Sequence, residues 1–227
     1  MIREVLRLVL QFLFRVLTRV EVAGLQNIPK TGGCILAMNH LSRLDAPLVF
    51  SFLTRKDSTG LIADKYKHHP LFRWIVEGAR GIWLDRDNPD YGALRAAVRY
   101  LRAGGVLGIA PEGTRSQTGS LMASKPGVAF LATKANVPIV PAAIVGTEVT
   151  MRELVRLRRS PVRLEFGVQF LLLEGNTKNR EVALQQAADE IMCQIACLLP
   201  PSYRGVYAEH PRVLELLQMN GKLEAER

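Results

Sequence analysis

His40 and Asp45 stand five residues apart in Asn39-His40-Leu41-Ser42-Arg43-Leu44-Asp45, directly behind the apolar run Cys34-Ile35-Leu36-Ala37-Met38. A carboxylate on one ring nitrogen of an imidazole fixes its tautomer and leaves the other nitrogen free to take a proton from a hydroxyl. Five residues along a regular helix turn through about 140°, so one unbroken helix would point the two groups apart. The apolar run reads instead as a buried strand. Asp45-Ala46-Pro47 reads as a helix start, with Asp45 near the N-cap and Pro47 in the first turn. A strand, a short turn and a new helix would fold Asp45 back toward His40, at the rim where open α/β sheets hold their ligands. A histidine bonded for purely structural reasons has the same local pattern, so the chemistry needs a second set of groups.

That set is Ala110-Pro111-Glu112-Gly113-Thr114-Arg115-Ser116, behind a second apolar strand, Val106-Leu107-Gly108-Ile109. Together, the NHLSRLD and PEGTRS stretches resemble the glycerolipid acyltransferase family, most closely its bacterial 1-acylglycerol-3-phosphate acyltransferases. Gly81-Ile82-Trp83-Leu84-Asp85-Arg86 resembles the family's strand ending in an Asp-Arg pair, and Val137-Pro138-Ile139-Val140-Pro141 its proline-bracketed last motif. The four blocks occur in the family's order, and the resemblance runs from about residue 20 to about residue 205. Two positions depart from the family pattern. Ala110 stands where an aromatic residue is common, and Trp83 is bulkier than usual.

The resemblance implies transfer of a fatty acyl group from a thioester to the free hydroxyl of lysophosphatidic acid, giving phosphatidic acid. His40 would be the general base and Asp45 the group that orients it. Arg86, Arg115 and Lys125 are the cations expected to bind the acceptor's phosphate, because a guanidinium fork matches phosphate oxygens. Lys125 also precedes the helix start Pro126-Gly127, whose amino terminus favours anions. Glu112 is expected to hold structure or position substrate, Gly113 to let the backbone turn closely and expose amides to substrate, and Thr114 to take part in substrate binding. Alternatives stay open: Arg86 can pair with Asp85 at the surface, and Arg115 can bond Glu112 and hold the turn shut. The same chemistry on another lysolipid or alcohol is a second reading. A non-catalytic protein that binds acidic lipid is a third.

The whole chain sets wider bounds. Its 227 residues suit one domain with a sizeable core. Thirty Lys and Arg against 21 Asp and Glu give a net charge of +9 and a pI near 9.8, a balance that favours anionic partners. Aromatic residues do not interleave with the basic ones, which argues against nucleic acid. Cys34, Cys193 and Cys197 fall in apolar surroundings, suggest packing rather than a disulfide framework, and fit a reducing compartment. No zinc-ligand spacing occurs, and neither a metal nor a resident cofactor is expected. The acyl donor, acyl-coenzyme A or acyl carrier protein, would be a co-substrate.

Residues 1–20 read as an amphipathic helix with one polar stripe: Arg3, Glu4, Arg7, Gln11, Arg15, Thr18 and Arg19. Its longest charge-free stretch, Leu8 to Phe14, is far shorter than the roughly 20 residues of a membrane span. A helix lying in the bilayer interface fits best, which would place the protein peripherally on the cytoplasmic face of the cell membrane, against acidic lipids. The plainer alternative is a helix covering the sheet with its arginines in water. Arg152, Arg156, Arg158, Arg159 and Arg163 form a second basic stretch. Residues 21–227 then form a single α/β domain, the acyltransferase domain by resemblance. Its strands start near residues 20, 34, 59, 81, 106, 138 and 162 and alternate with helices, which implies a largely parallel central sheet flanked by helices. No element is expected between Val145 and Val162.

Overall fold

The computed structural model describes residues 2–85, 88, 90–172 and 179–225. The first element is the helix α1 (Ile2–Leu17), which runs directly into β1 (Thr18–Ala23). The expected helix to residue 20 therefore ends three residues earlier. Thr18 is buried and its hydroxyl donates to the Phe14 carbonyl over 2.6 Å, closing the last turn, after which Val20 and Val22 favour extended backbone.

Strands and helices then alternate: β2 (Cys34–Met38), α2 (Asp45–Phe52), β3 (Ser58–Ala63), α3 (Pro70–Gly78), β4 (Ile82–Leu84), α4 (Tyr91–Arg102) and β5 (Val106–Ile109). After these come α5 (Gly127–Ala135), β6 (Ile139–Val145), α6 (Thr147–Val155), β7 (Ser160–Phe166), α7 (Arg180–Leu198) and α8 (Pro211–Ala225). All seven expected strands form, in the spatial order β1-β7-β6-β2-β5-β3-β4, with only the β6–β7 pair antiparallel. The helix α6 went unanticipated because its nine-residue segment is short and mixes Thr, Glu and Arg with its apolar residues. Gly146, at φ 88°, and the acidic first turn at Glu148 are its only start signals.

The sheet buries both faces, as parallel sheets must. Along β2, Ile35 and Ala37 pack into a core with α4, α5, α7 and α8, while Cys34, Leu36 and Met38 pack into a second core with α2 and Phe14 of α1. Because β2 is the central strand and is buried at every residue, the point where it ends is rigidly held. Burial pushes the thiols of Cys34 and Cys193 up to about 11 and about 12, so both pack as small apolar groups.

The orientation of α1 reverses the plainer expectation. Arg3 reaches inward to the Ala79 carbonyl (3.1 Å) and the Ser58 hydroxyl (2.7 Å), and Arg7 to the Leu53 carbonyl (2.8 Å). The Arg15 guanidinium lies over the Phe52 ring. The polar stripe thus spends its donors on the carboxyl ends of α2 and α3 and on the start of β3. Val5, Leu8, Val9, Phe12 and Val16 are consequently left exposed on the outer side.

Candidate active site

Two adjacent parallel strands, β2 and β5, deliver the two sequence clusters to the same edge of the sheet, since Ala37 pairs with Ile109 in their register. Just past β2, the buried Asn39 amide donates to the Ile144 carbonyl (2.8 Å) and accepts from its N–H (2.7 Å), which pins the turn to β6. His40 follows, with its side chain 20% exposed beside an Asp45 side chain that is 1% exposed.

The Nδ1 of His40 lies 2.7 Å from Asp45 Oδ2. The same oxygen accepts the backbone N–H groups of Leu41 (2.7 Å) and Ser42 (2.8 Å), so the turn wraps around the carboxylate. Asp45 is the first residue of α2 rather than its N-cap, which is Leu44. Its other oxygen, Oδ1, accepts from Thr147 Oγ1 at 2.5 Å and more distantly from Ser42 Oγ at 3.3 Å. A buried carboxylate bonded on both oxygens is fixed in position. The imidazole is then held with Nδ1 toward Asp45 and Nε2 outward, and Nε2 has no partner among the described residues. Thr147, at the start of α6, was not foreseen. A lone threonine after a strand carries no sequence signal of a contact 102 residues away.

Glu112 acts on the backbone. Its Oε1 accepts from the His40 amide (2.9 Å) and its Oε2 from the Met122 amide (3.0 Å), so the 2%-exposed side chain bridges the two clusters. Burial holds its carboxyl above the usual carboxylate range. The Ser116 amide completes the bridge by donating to the His40 carbonyl over 2.8 Å. With both oxygens so used, Glu112 does not pair with Arg115. Arg115 is half-buried and makes no ion pair or hydrogen bond among the described residues.

Gly113 takes φ 71°, and its own amide donates to the Ala110 carbonyl (3.0 Å), so it closes the turn rather than offering that N–H to substrate. A Cβ at Gly113 would sit 2.8 Å from Cδ of Lys125, whose side chain therefore lies over the glycine. The Lys125 amide donates to the Pro111 carbonyl (2.9 Å), which returns the chain to the site just before α5. Thr114 is exposed at the tip of the turn. The structure thus brings together His40, Asp45, Glu112, Gly113, Thr114, Arg115 and Lys125, while Arg86 lies outside the described residues. Such an arrangement can draw a proton from a hydroxyl at His40, while Arg115 and Lys125, which have no acidic partner among the described residues, are available to an anionic group.

A hollow of about 480 Å³ lined by Lys30, Thr31, Arg55, Lys56 and Asp57 lies at the opposite, amino edge of the sheet. Arg55 is committed there to Asp57 and to the carbonyls of Pro29 (2.9 Å), Gly32 (2.7 Å) and Gly104 (2.5 Å), so it ties loops together.

A family model described as acyltransferase matches residues 19–145, and the chain belongs to that family. Among its relatives is the 1-acyl-sn-glycerol-3-phosphate acyltransferase of Limnanthes alba, 30% identical over 151 residues, 65% of this chain and 53% of the relative. The probable 1-acyl-sn-glycerol-3-phosphate acyltransferase of Mycoplasma pneumoniae is 26% identical over 203 residues, 86% of this chain and 76% of that protein. The crystal structure of the 1-acyl-sn-glycerophosphate (LPA) acyltransferase PlsC from Thermotoga maritima superposes with a TM-score of 0.63 at 25% identity, covering 83% of this chain and 76% of that one. The chain spans about half the length of the first plant relatives it matches.

Proposed function

We propose that this chain transfers a fatty acyl group from an acyl thioester, acyl-coenzyme A or acyl carrier protein, to the sn-2 hydroxyl of 1-acylglycerol 3-phosphate, giving phosphatidic acid. The observation that carries the reading is the 2.7 Å contact from His40 Nδ1 to the buried Asp45, with the opposite ring nitrogen unpartnered among the described residues. The relatives' names supply the substrate class.

In this reaction His40 Nε2 removes the hydroxyl proton as the oxygen attacks the thioester carbonyl, and Asp45 stabilises the imidazolium that forms. A positioned base of this kind contributes typically about 10²–10⁴-fold. Collapse of the tetrahedral oxyanion breaks the C–S bond, and the imidazolium returns its proton to the departing thiolate. The new C–O ester bond replaces the thioester with no covalent enzyme intermediate. Arg115 and Lys125, both without an acidic partner among the described residues, suit the acceptor's phosphate.

The outward apolar face of α1 supports attachment at a membrane surface carrying acidic lipids, where the acceptor resides. No described helix is long and apolar enough to cross a membrane. Three free thiols suit the reducing, cytoplasmic face.

Thiol release from each donor in the presence of lysophosphatidic acid tests the proposal. Wild type should turn over with at least one donor and His40→Ala should not. Equal turnover of a lysolipid lacking a phosphomonoester would redirect the acceptor assignment. Silence with both donors would remove the enzyme reading.

A further inference from the structure

The end of α6 is built in a way that its fold does not require. Arg158 N–H donates to the Glu153 carbonyl (2.9 Å) and Leu157 N–H to the Leu154 carbonyl (2.9 Å), the paired bonds of a helix ended by a left-handed residue. That left-handed residue, at φ 55°, is Leu157. Glycine is the usual occupant of the position, and a bulky aliphatic side chain there is strained. Burial does not offset the strain, because Leu157 is 96% exposed. Val155 beside it is 84% exposed and Met151, one turn back, 62%. Five arginines fall between residues 152 and 163 against Glu153 and Glu165. Arg152 and Arg156 share Glu153 (3.7 and 3.2 Å) and Arg163 pairs with Glu165, while Arg158 has no acidic partner among the described residues.

This turn is joined to α1. The Arg159 guanidinium donates to the carbonyls of Arg15 (2.5 Å) and Thr18 (2.6 Å), and β1 pairs with β7 from Thr18 against Ser160 onward. Because β7 runs antiparallel to β6, Ser160 lies at the carboxyl edge of the sheet, the edge that carries His40. Arg3 at the other end of α1 reaches Ser58, at the start of β3 and so at the amino edge. The exposed apolar face of α1 therefore runs from one edge of the sheet to the other and ends beside the Leu157 turn. At its opposite end, α6 touches the site through Thr147 and Asp45.

We infer that the α6–β7 turn is a second membrane anchor, in which Leu157 and Val155 enter an anionic bilayer while Arg156 and Arg158 meet its phosphates. This rests on the reading that α1 lies on a membrane and adds a second point of contact, which fixes the rotation of the domain about α1. With both contacts made, the catalytic edge faces the bilayer, and an acceptor lipid reaches His40 without leaving the surface. An aliphatic side chain in the left-handed position is then explained by what it does outside the protein.

Binding of the full chain to vesicles of phosphatidylcholine and phosphatidylglycerol in equal parts, compared with phosphatidylcholine alone, tests this. Leu157→Gly should weaken binding about tenfold, the equivalent of burying one leucine, yet should leave the thermal midpoint unchanged or raised, because glycine relieves the strain. Arg158→Gln should weaken binding to the anionic vesicles about fivefold and binding to phosphatidylcholine alone far less. Turnover of acceptor in detergent micelles should be unchanged in both variants. Wild type that ignores both vesicles would defeat the membrane reading itself. Wild type that binds while Leu157→Gly and Arg158→Gln bind equally well would defeat the second anchor alone. Unaltered vesicle binding with turnover lowered only for acyl carrier protein as donor would overturn the inference in favour of a protein-docking patch.

Discussion

Thr147 donates its hydroxyl to Asp45 Oδ1 over 2.5 Å, linking the first turn of α6 to the carboxylate that holds His40. Both residues are buried, at 1% exposure each. The bond therefore forms where a lost partner cannot be replaced by water. Thr147→Val keeps the shape and removes the donor. Loss of one buried hydrogen bond to a charged group is worth about 1.5–3 kcal/mol, so kcat should fall about tenfold or more. The KM for the acceptor should hold, and Thr147→Ser should restore most of the loss. A purely structural role would lower the thermal midpoint of Thr147→Val while leaving kcat of the folded fraction intact.

Asp45 itself is more exacting. Asp45→Asn removes the charge opposite the imidazolium, and the amide orientation in which Thr147 keeps donating sets the NH2 group against Nδ1 of His40 and two backbone N–H groups. The imidazole then loses its fixed tautomer, and kcat should fall about 10³-fold or more. Thiol release under saturating substrates measures it.

For the acceptor phosphate, Arg115→Ala and Lys125→Ala should each raise the acceptor's KM about tenfold, the size of one charge-assisted hydrogen bond. The donor's KM should change little. Titration of each substrate at saturating levels of the other separates the two, and an effect confined to the donor would reassign these cations.

Glu112→Gln should cost stability more than chemistry. One amide oxygen can still accept from His40 or Met122, but the NH2 group then meets the other backbone N–H, leaving buried donors face to face. A loss of about 1–3 kcal/mol is expected, read from the denaturation midpoint, with kcat of the folded fraction falling as the His40 turn loosens.

Alkaline pH gives a separate handle on the far side of the loop. Tyr207 is buried and donates to Asp189 (2.7 Å) while accepting from the Ser124 amide (3.1 Å), next to Lys125. Burial chiefly, with the Asp189 contact, pushes its hydroxyl from 10.0 up to about 12. A phenol whose folded value is raised contributes stability that is fully present below its unfolded value and lost as pH rises through the folded one. Stability should therefore decline between pH 10 and about 12. Tyr207→Phe should be less stable at neutral pH and show a shallower decline across that window, as followed by denaturant midpoints.

Much of this protein was legible in its residues. The apolar runs at β2, β5 and β6 announce buried parallel strands because a strand covered on both faces has no polar side to show. Asp45-Ala46-Pro47 announces a helix start, and that local break lets two residues five apart meet. The alternation of Val162, Leu164 and Phe166 likewise forecasts β7, whose burial follows that pattern. In contrast, α6 is short and more than half polar, so it offered no comparable apolar run. The roles of Glu112 and Gly113 were open because their partners are backbone amides and carbonyls, which every residue carries and no sequence distinguishes.

By itself, the sequence determined which groups could do chemistry and which segments had to be strands, since both follow from residue type and local period. Only the tertiary structure decided which way α1 turns its arginines, that Thr147 reaches Asp45, and that Leu157 stands bare beside the end of α1. Each of those depends on which distant carbonyls and carboxylates remain unsatisfied once the sheet has closed, a quantity that exists only after strands far apart in the chain have paired.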